Sequence, residues 1–199
     1  HEENFIKNLN IFDQFKIRAG WGISGNDAIG DFMYLSNIFN TNVYYPLGTD
    51  QSRVNGATVI TNSSGNIKWE STESKTIGTD MTFLKNRLNL TAEYFIKSTN
   101  DILFPVPQPV SMGYGSNSVS GSPIVNAASC ENRGFELVLG YQGNIGKLHY
   151  AVNANYTYID NNVTSLGLGQ PYLVPVPGSQ VTTGVSRTDL NHPIGYFYG

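Results

Sequence analysis

The amino-acid sequence predicts an all-β protein: a segment of a large antiparallel transmembrane β-barrel with short periplasmic turns and long extracellular loops. Three observations lead to this prediction, namely the composition, the alternation of apolar and polar residues, and the sorting of the connections by length. The 199 residues include 21 Gly, 9 Pro and 12% aromatic residues, but only 14% charged residues. Such a composition is typical of turn-rich β-structure and disfavours both helical bundles and disordered chains.

Five segments alternate with the period of two that is expected of strands with one apolar and one polar face. The longest of them has about the length that a tilted strand needs to cross a bilayer. A short helical turn is expected before the first strand, between Phe5 and Phe12. The predicted strands span residues 15–21, 77–83, 88–97, 135–141 and 147–158, and a sixth is expected to begin near Tyr196.

The connections between the predicted strands fall into two length classes that alternate along the chain. The short connections are residues 84–87 and 142–146, and the long ones are residues 24–66, 104–129 and 161–193. Barrels of bacterial outer membranes have short periplasmic turns and longer extracellular loops. A soluble β-sandwich has no reason to sort its loops in this way, so the alternation favours a barrel wall and fixes the direction of each strand.

Aromatic residues are concentrated near the predicted strand ends, as in the interfacial girdles of membrane barrels. They are Trp21, Trp69, Phe83, Tyr141, Tyr156 and Tyr158.

Charge and cysteine content exclude several other classes of function. The formal charge is −3, so no basic stripe is available for a nucleic-acid backbone. The single Cys130 cannot form an internal disulfide, and with three scattered histidines it matches no zinc-ligand spacing. We therefore expect no metal, no cofactor and no nucleic-acid partner.

Five motifs resemble the SusC/RagA family of TonB-linked outer-membrane transporters from Bacteroidetes, in the same order and at plausible spacing. They are RAGWGISGN at residues 18–26, NIKWESTESKTIGTDMTFLKNRL at 66–88, YFIKSTNDIL at 94–103, NRGFELVLGY at 132–141 and HPIGYFYG at 192–199. The resemblance covers nearly the whole chain.

The resemblance implies a 22-stranded barrel with an N-terminal plug, a TonB-contacting box, and a SusD-like surface lipoprotein that closes the extracellular mouth. Residues 1–199 account for about six strands, without counterparts of the plug or the final strands, so they are expected to be part of a larger barrel. Six strands cannot close, and an open sheet edge in lipid leaves backbone groups unpaired.

The function that the resemblance implies is TonB-dependent import of a large nutrient, an oligosaccharide or a peptide, across the cell outer membrane. Its implied partners are the SusD-like lipoprotein, the TonB complex through a region outside this chain, and outer-membrane lipid. No enzymatic activity is expected. Two alternatives are an extracellular carbohydrate-binding or adhesion β-sandwich and a secreted polysaccharide-degrading enzyme. The first requires a packed core, and the second requires a convergent acidic pair in a cleft.

Two groups of side chains are candidates for the functional site. Tyr114 and Tyr172 lie in long loops, where an aromatic ring can stack on a sugar or peptide. The second group is expected to face the lumen, with the carboxylates paired to lysines: Asp80, Glu93, Lys97, Glu136, Lys147, His149 and Asn153. His192 is expected to be a polar loop residue rather than a metal ligand.

Overall fold

The computed structural model describes residues 12–39, 44–61, 64–105, 123–167, 172–173 and 186–198. Within these residues, no helix is both long enough and apolar enough to span a membrane. The described residues form twelve strands: β1 (Gln14–Asn26), β2 (Asn37–Phe39), β3 (Tyr44–Leu47), β4 (Ser52–Asn55), β5 (Thr58–Thr61), β6 (Glu70–Phe83), β7 (Leu88–Pro105), β8 (Ile124–Ile145), β9 (Leu148–Leu166), β10 (Tyr172–Leu173), β11 (Ser186–Asp189) and β12 (Tyr196–Phe197).

Five long strands form the main sheet, in the order β1-β6-β7-β8-β9. The β1–β6 pair is antiparallel: Asp13 N–H donates to the Thr82 carbonyl (2.8 Å) near the start of β1, whereas Ser24 Oγ lies 3.5 Å from the Thr72 carbonyl near its end. Strands β6 to β9 follow one another both in sequence and in space. The prediction of an all-β barrel segment is confirmed, and the sheet remains open.

The strands are longer than the alternation predicted. Strand β7 runs to Pro105 instead of residue 97, and β8 begins at Ile124 instead of residue 135. The added segments carry Ser, Thr, Asn and Glu at neighbouring positions, so no apolar face marks them as strands. Alternation with one apolar face detects only the part of a strand that faces an apolar environment.

Both short connections are tight turns, which we call the short turns. The first, residues 84–87, has three successive left-handed residues, with φ of 57° at Leu84, 57° at Lys85 and 63° at Asn86. The second is shorter than predicted, because β8 continues to Ile145 and only residues 146–147 remain between the strands. Gly146 has φ of 63°, which a two-residue hairpin turn of type II′ requires at its first position.

The first long connection contains structure that the sequence did not reveal. Strands β3 and β4 pair from Tyr44↔Asn55 to Leu47↔Ser52, and β2 pairs with β5. These strands have three or four residues, too few for a period of two to stand out.

The predicted sixth strand near Tyr196 does not join the main sheet. Strand β12 pairs with β11 through Arg187↔Tyr196, and β11 pairs with β10 through Tyr172↔Asp189. Left-handed residues at Asn191 (φ 63°) and Gly195 (φ 67°) turn the chain back, so residues 196–197 meet their own preceding segment.

By contacts, the chain divides into two compact units. Unit 1 comprises residues 1–24, 72–98 and 130–162, and unit 2 comprises the remainder. Among the described residues the buried apolar side chains are Phe95 and Cys130 in unit 1 and Ala127 and Val163 in unit 2. So small a buried set does not match the packed core that the β-sandwich alternative requires.

Candidate functional site

Side chains of the main sheet in unit 1 separate onto two faces, because neighbouring residues of a strand point to opposite sides. On the apolar face, the Phe135 ring lies 5.8 Å from the rings of both Tyr156 and Tyr158, and Tyr141 lies 6.0 Å from Tyr150. Aromatic pairs at such spacings attract one another. The apolar face is therefore lined with rings that are in contact.

The polar face carries a group of charges on three adjacent strands, which we call the charge cluster. Arg18 of β1 places Nε 3.4 Å from Asp80 Oδ2 of β6 and Nη1 2.7 Å from Glu93 Oε2 of β7. Thr91 Oγ1 donates to Asp80 Oδ1 at 3.0 Å. Two of the predicted site residues, Asp80 and Glu93, are thus brought together by an arginine that the sequence did not single out.

A glycine makes room for this arrangement. A Cβ atom at Gly78 would lie 3.3 Å from Arg18 Cζ, so the guanidinium crosses β6 directly over the glycine. The cluster has two carboxylates and one guanidinium. The Arg18 and Asp80 side chains are 42% and 39% exposed, so the attraction between them is screened and contributes little stability. The three charged members of the cluster together carry a formal charge of −1.

Among the described residues, Lys97 pairs with no carboxylate, contrary to the prediction. Its Nζ lies 5.2 Å from the centroid of the Phe95 ring, a cation–π arrangement. Asp80 and Glu93 both form ion pairs with Arg18 of β1. The predicted pairing of a lysine with these two acids is therefore wrong. Lys147, the other predicted partner, lies in the second short turn instead of in β9.

Phe95 is 5% exposed although it lies on the polar face. A Cβ atom added to Gly134 would overlap the Tyr158 carbonyl oxygen and lie 3.0 Å from Phe95 Cζ. The ring therefore occupies the space that the missing side chain of Gly134 leaves open on the adjacent strand. This packing of an aromatic ring over a cross-strand glycine pins the register of β7 against β8.

The remaining predicted site residues are separate from the charge cluster. Glu136 is exposed on β8, and Asn153 of β9 lies beside Gly140, where an added Cβ would be 3.1 Å from Asn153 Oδ1. His149 Nδ1 lies 2.7 Å from Asn144 Oδ1 near the second short turn. Tyr114 lies outside the described residues, and so does the expected helical turn except for Phe12. Tyr172 is the first residue of β10.

A second group of interacting side chains joins the C-terminal half of β1 to the N-terminal half of β6. The sequence did not predict these contacts. Trp21 Nε1 donates to Glu73 Oε1 (2.8 Å), and Lys75 Nζ lies 3.0 Å from the same oxygen. Trp21 is 69% exposed. An exposed tryptophan held next to charged side chains fits the predicted aromatic girdle, in which rings lie between apolar and hydrated surroundings.

In unit 2, residues 192–198 of the last motif form part of a polar network. Arg187 contacts Asp189 Oδ2 (2.7 Å), donates to the Tyr196 hydroxyl (3.2 Å), and has Cζ 3.3 Å from the Tyr198 ring centroid. The hydrogen bond to Tyr196, with the nearby Asp189 carboxylate, raises the pKa of Arg187 above its ordinary value. His192 stacks on Tyr196 at 4.7 Å. The network ties β11 to β12, and no cluster of potential metal ligands occurs in the described part of the chain.

A sequence profile described as TonB dependent receptor-like, β-barrel, matches residues 7–198. The TonB-dependent receptor P39 of Formosa agariphila is 31% identical over 83% of this chain, which corresponds to 15% of the length of that receptor. The TonB-dependent receptor SusC of Bacteroides thetaiotaomicron is 30% identical over 98% of the chain and 19% of its own length. The chain thus spans less than a fifth of either relative.

Solved structures show the same fold. The RagAB peptide transporter superimposes with a TM-score of 0.73 at 22% identity, over 98% of this chain and 19% of the other. The RagAB peptide importer in the open-open state gives a TM-score of 0.71 at 21% identity, over 96% and 19%.

Proposed function

Because this chain belongs to the TonB dependent receptor-like β-barrel family, we propose that it forms part of the wall of an outer-membrane importer. The observation that carries the proposal is the five-stranded sheet, joined alternately by tight turns and long connections, within a chain that matches the family almost from end to end. The sandwich alternative is disfavoured by the small buried core.

The proposal treats residues 1–199 as one portion of a larger barrel whose plug and remaining strands are outside this chain. The match to only 15% of one relative and 19% of another supports this division. A five-stranded open sheet leaves unpaired backbone groups on both outer strands, which is costly in lipid. Neighbouring strands from the same polypeptide satisfy those groups.

In this proposal the polar face of the sheet lines the barrel interior. The charge cluster supports it, because Arg18, Asp80 and Glu93 interact across three strands while retaining contact with solvent. A hydrated lumen tolerates such groups, whereas lipid does not. We assign the same face to the remaining predicted residues, namely Lys97, Glu136, Lys147, His149 and Asn153.

The transported substrate is a large nutrient, an oligosaccharide or a peptide, captured in partnership with a SusD-like surface lipoprotein and energised through the TonB complex. The relative named SusC and the structural relatives titled as peptide transporters support this class. Tyr114 and Tyr172 contribute aromatic surfaces at the extracellular end, where sugar rings and peptide groups both stack. We propose no enzymatic step.

Uptake by cells that carry the full-length protein tests the function. Fluorescent oligosaccharides and peptides are supplied with and without a protonophore, and accumulation of either substrate is expected to stop when the inner membrane is de-energised. The Tyr172→Ala variant is expected to reduce uptake, whereas Tyr44→Ala, at an exposed tyrosine of β3, serves as the matched control. Uptake that continues unchanged in de-energised cells contradicts TonB-dependent import.

The direction of the strands is tested separately by cysteine labelling of intact cells. Gly65→Cys, at a position where nothing lies within 4 Å of an added Cβ, is expected to react with a membrane-impermeant maleimide. Lys147→Cys in the second short turn is expected to react only after the cells are opened. The parent chain is the control for Cys130, which is buried. Labelling of Lys147→Cys in intact cells would reverse the assigned topology.

A further inference from the structure

A cavity of about 510 Å³ lies in unit 1 beside the two short turns. Its lining includes Lys85 and Arg87 of the first turn, together with Gln142, Asn144, His149 and Tyr150 from the adjoining ends of β8 and β9. None of the residues proposed to contact the substrate, and no member of the charge cluster, belongs to this lining. The cavity therefore belongs to neither the proposed capture surface nor the charge cluster.

The charged side chains that line the cavity are basic. Residues 84–87 and 142–151 contain Lys85, Arg87, Lys147 and His149 but no Asp or Glu, although the whole chain is net negative. Among the described residues, neither Lys85 nor Arg87 has an ion-pair partner. The Asp13 carboxylate reaches this region but accepts the backbone N–H of Asn86 at 2.9 Å. Two cations thus remain available to an anion.

The walls of the cavity are held in place before any ligand enters. Gln142 Nε2 donates to the Asn86 carbonyl (2.9 Å), and Gln142 N–H donates to the Arg87 carbonyl (2.8 Å), so β8 fixes the first turn. The imidazole of His149 is oriented by Asn144 at 2.7 Å. The Gln142 amide and the His149 ring are therefore ordered before an anion enters, which lowers the entropic cost of binding.

We propose that this cavity binds a phosphate group, which either free phosphate or a phospholipid headgroup at the rim of the barrel can supply, because its lining includes His149 of the lumen-facing side. The guanidinium of Arg87 presents a planar fork that matches phosphate oxygens, and the Lys85 ammonium adds a second charge. The volume is in the range of small-molecule sites. Basic pockets at the membrane surface bind lipid headgroups in this way. Free inorganic phosphate shares the recognised chemistry, and only the choice between these two sources rests on the proposed membrane location.

The test uses the purified full-length protein in neutral detergent. Phosphatidylglycerol is added and the retained lipid is counted by native mass spectrometry, while inorganic phosphate is titrated by calorimetry in a parallel arm. We expect phosphatidylglycerol to bind, and Lys85→Gln with Arg87→Gln to weaken it by about 30-fold, since each cation near a membrane surface contributes on the order of 1 kcal/mol. The single variant Arg87→Lys keeps the charge but loses the planar fork. It is expected to bind more weakly than the parent chain and more tightly than Arg87→Gln.

The matched control is Lys75→Gln, which removes a cation of β6 that pairs with Glu73 and lies outside the cavity lining. It is expected to change binding by less than about 2-fold, and heat-shifted gel mobility checks that every variant is folded. Tight binding of inorganic phosphate that depends on Lys85 and Arg87 supports the site and assigns it to free phosphate. Equal weakening by Lys75→Gln, or no effect of the double substitution, overturns the proposal whether or not the protein transports a nutrient.

Discussion

The two faces of the main sheet in unit 1 are built on different principles. On the apolar face, side chains such as Ile77 and Val152 remain more than half exposed, and the stabilising contacts are between aromatic rings. On the polar face, Phe95 is buried over Gly134 and Arg18 joins two carboxylates. The comparison teaches that the polar face has a ring buried against its own sheet, whereas the large side chains of the apolar face depend on what surrounds the sheet.

The largest expected effect comes from removing Phe95, the large side chain that is buried on the polar face in the described part of the sheet. Phe95→Ala leaves a cavity over Gly134 and is expected to lower the free energy of unfolding of the full-length barrel by about 3–5 kcal/mol. Phe135→Ala on the apolar face is the matched control, because Phe135 is 37% exposed and its loss should cost less. Urea unfolding followed by gel mobility measures both, and equal losses would remove the distinction between the faces.

A charge placed on each face sharpens the comparison further. Val152→Arg on the proposed lipid side is expected to cost about 2–4 kcal/mol near the bilayer midplane, while Asn153→Arg on the next residue remains hydrated in the lumen and costs little. The measurement is the folded fraction of each variant in membranes. If Asn153→Arg is as damaging as Val152→Arg, the proposed orientation of the sheet fails.

Adding a single methyl group at Gly134 tests whether the polar face is closely packed. Gly134→Ala is expected to destabilise by about 1–3 kcal/mol, because the new Cβ meets the Tyr158 carbonyl and the Phe95 ring. Gly22→Ala in β1, where nothing lies within 4 Å of the added atom, should be neutral or slightly stabilising. Thermal shifts of the gel mobility distinguish them, and similar values would show that the ring does not occupy this space.

The smallest effect is expected from the charge cluster. Arg18→Gln removes both ion pairs, but the side chains are partly exposed, so a loss of at most about 1 kcal/mol is expected, and it should shrink at high salt. Lys16→Gln, at a second basic position of β1, is the control. A loss of several kcal/mol would mean that the cluster is shielded from solvent in the complete barrel.

The sequence predicted the parts of this fold in which one physical rule dominates. Alternation located the central portions of β1, β6, β7, β8 and β9, and the contrast between tight turns and long connections ordered them. The alternation did not reveal the ends of these strands, where polar residues occur on both faces. It also did not reveal the three- and four-residue strands of the first long connection. Backbone pairing there is decided by the neighbouring segment, which a local pattern does not include.

The candidate site was predicted less well, because its geometry depends on cross-strand distances. Asp80 and Glu93 were singled out, but their partner Arg18 lies 62 and 75 positions away in sequence, and only the register of β1 against β6 brings it over Gly78. Lys97 was assigned to a carboxylate because opposite charges attract, whereas the nearest suitable surface for its ammonium is the ring two residues earlier. Arg18 is the first residue of the motif at residues 18–26, and this position in a motif was the feature of the sequence that could have singled it out.

Val163 closes the base of the last long connection. Its N–H donates to the His192 carbonyl (3.0 Å), and its own carbonyl accepts from Asn191 N–H (2.9 Å), with the side chain 1% exposed. The chain therefore returns to β9 at Asn191 and His192, and these two hydrogen bonds close the base of the segment between Val163 and Asn191. Doubling the length of such a segment costs only about 0.6 kcal/mol in loop entropy. Insertions and deletions there can be selected for new ligands while the wall below keeps its register.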